Sequence, residues 1–170
     1  MRAVPPLLTY NCLRDTAPLE VMFRTASEWG FMPWLWVGLG EAYFFAGRLD
    51  EAARTLKDAV ELSHKLGMNY WEGWAHRLLG ETLLQQEVSH AFALVEDHFT
   101  QALSLFKRCK SEPDIARTYA SWGNLQRRQG KIAEACATLD QALLICDTLG
   151  MAEESQHAHQ LRAQLSRTTA

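Results

Sequence analysis

The segment Trp36-Val37-Gly38-Leu39-Gly40-Glu41-Ala42-Tyr43 decides how this chain is read. It spells Trp-x2-Leu-Gly-x2-Tyr, and each marked position has a packing reason. Gly40 lets two helix backbones approach closely, while Trp36, Leu39 and Tyr43 fill the groove between them. A turn follows at Gly47-Arg48-Leu49-Asp50, where Gly47 is free to take positive φ and Asp50 is placed to cap the next helix. On that second helix the small and large residues fall at Ala52, Leu56 and Ala59. The unit is a hairpin of two helices.

Forty residues on, the pattern returns as His76, Leu79, Gly80 and Leu83, with Val95, Phe99 and Ala102 on the second helix. These lie three residues later than in the first unit, so Glu87-Val88-Ser89-His90-Ala91 reads as a small insertion in the turn. A third copy, with two signature positions drifted, runs through Tyr119, Trp122, Gly123 and Gln126, then Gly130, Ala135, Leu139 and Ala142. Leu66-Gly67-Met68 and Leu149-Gly150-Met151 close second helices at the same interval, and Trp29-Gly30-Phe31 closes an earlier one. The spacing and signature resemble the tetratricopeptide repeat, lengthened from the common 34 residues to about 40. No hairpin buries its apolar face alone, so neighbours must stack, which predicts an all-α solenoid of antiparallel hairpins.

The predicted helices are 17–29, 33–46, 50–66, 70–86, 91–109, 113–129, 132–148 and 152–166. They divide the chain into a partial repeat over 1–30 and full repeats over 31–69, 70–112 and 113–150. A capping helix and tail follow over 151–170. Residues 17–29 align with second helices, and Thr9 to Arg14 is too short to supply their first helix, so the chain is expected to begin inside a repeat. Ala158, Leu161 and Leu165 form a narrow apolar stripe among polar residues, as a terminal cap requires.

In such a stack the first helix of each hairpin lines the concave face, so candidate partner-binding residues follow from repeat position. The first hairpin offers Trp34, Val37, Glu41 and Phe44. The second offers Tyr70, Trp74, Arg77, Glu81 and Leu84, and the third Arg117, Ala120, Asn124 and Arg127. This face grades from aromatic to basic and polar, which suits an extended or helical peptide bearing an acidic group. Charge reversal at Arg77 and Arg127 together is expected to abolish partner binding while the melting temperature holds. A second reading makes Trp34, Trp36, Phe44, Tyr70 and Trp74 a closed aromatic pocket for a small molecule.

Composition is that of a globular chain. Apolar residues are 48% and charged residues 22% of the 170, with net charge −3 and pI near 6.1. That balance gives no bulk electrostatic case for nucleic acid or an anionic membrane. The longest apolar run, Phe31 to Leu39, is too short to span a membrane and is broken by Pro33 and Gly38. The start, Met1-Arg2-Ala3-Val4-Pro5-Pro6, lacks the apolar stretch of a signal peptide. Cys12, Cys109, Cys136 and Cys146 show no metal-like spacing and read as reduced thiols, so the cytoplasm is expected.

Catalytic and metal motifs are not assembled. Glu61/His64, Glu87/His90 and Glu154/His157 share the Glu-x-x-His spacing of carboxylate-bridged metal bundles, but they lie on outer helices or in the inserted turn. His157 and His159 are split across a helix, and His76 occupies a packing position. Gly38-x-Gly40 lies within a helix and lacks both the strand and the third glycine of a dinucleotide loop. Cys109, between Arg108 and Lys110, has no evident histidine partner. The reading is a non-enzyme without cofactor or metal.

Three stretches carry a further resemblance: Gly40-Glu41-Ala42-Tyr43 through Gly47-Arg48-Leu49-Asp50-Glu51-Ala52, Ala75-His76-Arg77-Leu78-Leu79-Gly80-Glu81, and Phe99-Thr100-Gln101-Ala102-Leu103-Ser104-Leu105. They resemble the carboxyl-terminal tetratricopeptide region of large bacterial signalling proteins. There the repeats follow a STAND-type ATPase module, often with a class III nucleotide cyclase or a DNA-binding domain. The resemblance implies a partner- or inducer-sensing scaffold that regulates attached domains. None of that family's nucleotide-binding or cyclase motifs occurs here. A freestanding relic of such a protein is expected to dimerise through its exposed amino-terminal helix.

Overall fold

The computed structural model describes residues 33–86 and 92–168. These form seven helices and no strand: α1 (Pro33–Phe45), α2 (Leu49–Lys65), α3 (Asn69–Gln85), α4 (Phe92–Cys109), α5 (Glu112–Arg128), α6 (Ile132–Leu149) and α7 (Ala152–Thr168). Their ends fall within two residues of the predicted ones. The expected helix over 17–29, the dimerisation attributed to it, and the insertion at residues 87–91 lie outside the described residues.

Hydrophobic pattern sets each helix's place. On α2 the buried residues Ala52, Ala53, Leu56, Ala59 and Ser63 follow a helical stripe, so this helix has one inner and one wet face. On α1, Pro33, Leu35, Val37, Leu39, Gly40 and Ala42 are all buried, because α1 packs against both α2 and α3. The same rule repeats along the stack. First helices touch the next first helix (α1 on α3, α3 on α5, α5 on α7), whereas α2, α4 and α6 touch only their sequence neighbours. The stack therefore curves with the first helices on its inner side.

The hairpins close on one repeated contact. A Cβ placed on Gly40 would stand 2.6 Å from Leu56, on Gly80 2.6 Å from Phe99, and on Gly123 2.7 Å from Leu139. Leu56, Phe99 and Leu139 are fully buried, as are the flanking residues Ala52, Ala59, Ala102, Ala135 and Ala142. At the far end Ala158, Leu161 and Leu165 of α7 cover Ala135, Leu139 and Leu143.

Turns recur on the same plan. Gly47, Gly67, Gly130 and Gly150 have φ between 66° and 76°, and the residue after each donates its N–H back across the turn, as Arg48 does to Tyr43 O at 2.9 Å. Asp50 is not the cap expected from the sequence. The glycine turn delivers the chain into the helix one residue earlier, Arg48 is the N-cap without a side-chain bond, and Asp50 sits in the first turn. There its carboxylate accepts from Gln86 Nε2 at 2.9 Å, and its charge favours the helix amino terminus. No helix among the described residues is long and apolar enough to cross a membrane.

Candidate binding groove

The inner side of the stack holds a groove of about 430 Å3. Phe44 and Phe45 of α1 and Leu84 of α3 are its large apolar residues. The small residues Ala116, Ala120 and Ser121 of α5 line it together with Arg77, Glu81, Gln85, Asn124 and Arg128. Arg117, Cys146, Glu154 and His157 complete the lining.

Seven of the residues assigned to the concave face from the sequence line this groove: Phe44, Arg77, Glu81, Leu84, Arg117, Ala120 and Asn124. The others stand elsewhere. Val37 is 1% exposed and packs in the core with Ala52, Leu56 and Leu79, so it offers no surface to a partner. Trp34 is half-buried on α1 and is not part of the lining. Tyr70 and Trp74 are engaged with other rings: Trp74 stacks on Trp71 at 5.5 Å, and Tyr70 meets Trp71, Trp74 and Phe106 edge-on. Trp36, Tyr70 and Trp74 of the aromatic set thus pack on other rings or the core, and only Phe44 of that set lines the groove. Arg127 reaches the groove only through Asn124, whose Oδ1 accepts from its Nε and Nη2 at 3.2 and 2.8 Å.

The polar residues form a connected network. Arg77 is 8% exposed, and its Nη1 donates to Glu81 Oε1 at 2.7 Å, the same oxygen that accepts from Ser121 Oγ at 2.6 Å. Burial works against the charge of Arg77, but Glu81, Glu41 and Asp114 outweigh it and hold the guanidinium protonated. Glu41 is held above its ordinary value: burial pushes its carboxyl up, Arg77 pulls it down, and Glu81 adds to the rise. Arg117 bonds Glu154 Oε1 through Nε and Nη2 at 3.1 and 2.7 Å and also reaches the buried Asp114 at 3.2 Å. Tyr70 is pushed up to about 12 by burial and by Asp114 beside it. Arg128 donates to the Leu84 carbonyl at 2.8 Å. The expectation that Arg77 and Arg127 can be reversed without loss of stability is therefore corrected. An acid at position 77 would be buried beside Glu81 and Glu41.

Residues the sequence reading passed over also line the groove. Phe45 and Arg128 adjoin predicted residues, one position around the helix. Glu154 and His157 come from α7, which follows a second helix and so takes the place of a first helix on the inner side. Its polar composition reads only as a cap.

Comparison with known proteins accounts for this hairpin geometry. Residues 33–57 and 116–141 match a family model. The matching family is the tetratricopeptide repeat. The matched stretches are α1 with half of α2 and most of α5 with half of α6, and the Gly80–Phe99 contact repeats their packing in the hairpin between. The chain is also similar in fold to a crystal structure of BtubC (BKLC) from P. vanneervenii, with TM-score 0.61 and 19% identity. The match covers 79% of this chain and 62% of that one. No curated protein matches the chain in sequence. A helical-repeat fold with stretches matching this repeat suits a protein-interaction scaffold.

Proposed function

We propose that the chain is a non-catalytic interaction scaffold of a regulatory or sensor kind, binding a peptide, a partner protein or attached signalling domains in its concave groove. The observation that carries this reading is the groove itself, apolar at Phe44, Phe45 and Leu84 and charged at Arg117, Arg128 and Glu154. An extended or helical segment with an apolar anchor and an acidic group suits this lining. The anchor displaces water from the phenylalanines, and the acid competes for guanidinium donors now bonded within the chain. Ala120 lines the groove and has no polar side-chain atom, so a larger residue there obstructs the groove without removing a member of the network.

The test is selection of peptides from a random displayed library against the folded chain, followed by binding to Ala120→Glu and Phe44→Ala variants. Loss of affinity of about tenfold or more in both, with cooperative melting retained, is the expected result. Peptides that bind the two variants as tightly as the parent would refute the groove.

A further inference from the structure

His76 on α3 and His98 on α4 face each other away from the groove lining, with Nδ1 to Nδ1 at 2.9 Å. The ring centres are 5.2 Å apart. That separation is the nitrogen–nitrogen distance plus one ring radius at each end, so both nitrogens lie on the line joining the rings. This is the geometry of a straight N–H···N hydrogen bond. A chelated ion would instead draw both lone pairs to a third point, ~2.0–2.1 Å from each nitrogen and off that line. One ring must therefore carry its proton on Nδ1, and the other must present a bare Nδ1 as acceptor.

We propose that this pair is an acid-sensitive clasp between α3 and α4, closed while the two rings share one Nδ1 proton and opened when both Nδ1 atoms are protonated. A first added proton enters at the far nitrogen of the donor ring and leaves the bond in place. A second can enter only at the acceptor Nδ1, which sets two N–H groups head to head. Surrounding groups favour the neutral pair. Burial pushes His76 down to about 4, the His98 ring and His64 add to the fall, and Asp97 opposes it. Burial also lowers His98, with Lys57 of α2 adding and Asp97 opposing. His64 is itself bonded to Glu72 at 2.8 Å. The clasp holds the helix that supplies Arg77, Glu81 and Leu84 to the groove, so opening it loosens that wall.

The sign follows from linkage. A histidine whose folded value is depressed adds stability that is complete above the ordinary 6.5 and is lost as pH falls toward about 4. Nitrogen NMR of the imidazoles at neutral pH is expected to show His76 and His98 as opposite tautomers joined through Nδ1. Two rings with the same tautomer would overturn the clasp. On acidification the melting temperature of the parent is expected to fall by about 5 °C or more beyond that of a His76→Leu, His98→Leu double variant. Parallel curves would overturn it. If the double variant does not fold, the NMR titration of the parent decides alone: both rings must take up protons below 6.5, His76 toward about 4, and ordinary titration refutes the proposal. One equivalent of Zn2+ shifting both imidazoles at micromolar concentration would replace the clasp with a metal chelate.

Discussion

Gly40 lies so close to Leu56 that a methyl group on the glycine would stand 2.6 Å from the leucine Cγ, and Leu56, fully buried, has nowhere to go. The contact recurs between Gly80 and Phe99 and between Gly123 and Leu139. Alanine at position 40, 80 or 123 is expected to force the hairpin apart, lowering stability by about 1–3 kcal/mol each. Gly38 is the control. It lies in the same helix with open space where its Cβ would be, so Gly38→Ala is expected to add about 0.5–1 kcal/mol. Chemical denaturation of the four variants checks the contrast, and a destabilised Gly38→Ala would count against the packing account.

Lys110 occupies the turn position that is glycine at 47, 67, 130 and 150, and it adopts φ 55° with a side chain in place. Its N–H and that of Ser111 make the same backward bonds as the glycine turns. Lys110→Gly is expected to stabilise the chain by about 0.5–1 kcal/mol, because the left-handed strain is removed and the exposed lysine loses no packing. A thermal melt against the parent reads this directly.

Removing one partner of a buried ion pair costs more than the pair contributes. Arg77→Ala leaves Glu81 and Glu41 without their central cation and is expected to cost about 3 kcal/mol. Lys131→Ala breaks only an exposed contact, at 4.0 Å from Glu134, and is expected to change stability by less than about 0.5 kcal/mol. Denaturant midpoints of the two variants measure the difference.

Glu41 supplies a pH test of the groove network. Its carboxyl is raised above 4.5 in the fold, chiefly by burial, so the fold prefers it protonated. The stability it contributes is complete below 4.5 and is lost as pH rises through the raised folded value. Glu41→Gln, which never ionises, is expected to melt higher than the parent at neutral pH and no higher below 4.5. A variant that melts lower at neutral pH would mean that the pairing of Glu41 with Arg77 outweighs its burial.

Sequence pattern and tertiary structure divide the groove unevenly. Phe44, Arg77, Glu81, Leu84, Arg117, Ala120 and Asn124 were legible because first helices face inward and their repeat positions give the facing side. Val37 was misplaced because an apolar residue on a first helix serves the core and the inner surface equally well in a pattern. Which one it serves depends on how far the neighbouring hairpin covers it. Tyr70 and Trp74 went the same way: their rings pack on Trp71 of the same helix, and Tyr70 also meets Phe106 of the next one. Glu154 and His157 were unreadable because nothing local tells a polar cap from a polar wall.

By itself the sequence determined the hairpins. The signatures around Gly40, Gly80 and Gly123 and the turn glycines at 47, 67, 130 and 150 are local constraints, written within single helices and the turns that join them. Helix period and steric demand act within a few residues of one another. Only the tertiary structure decided which guanidinium groups are already paired, where the open volume lies, and that His76 meets His98. Each depends on side chains brought together from separate helices, and their distances and burial are set by the angle at which the hairpins stack.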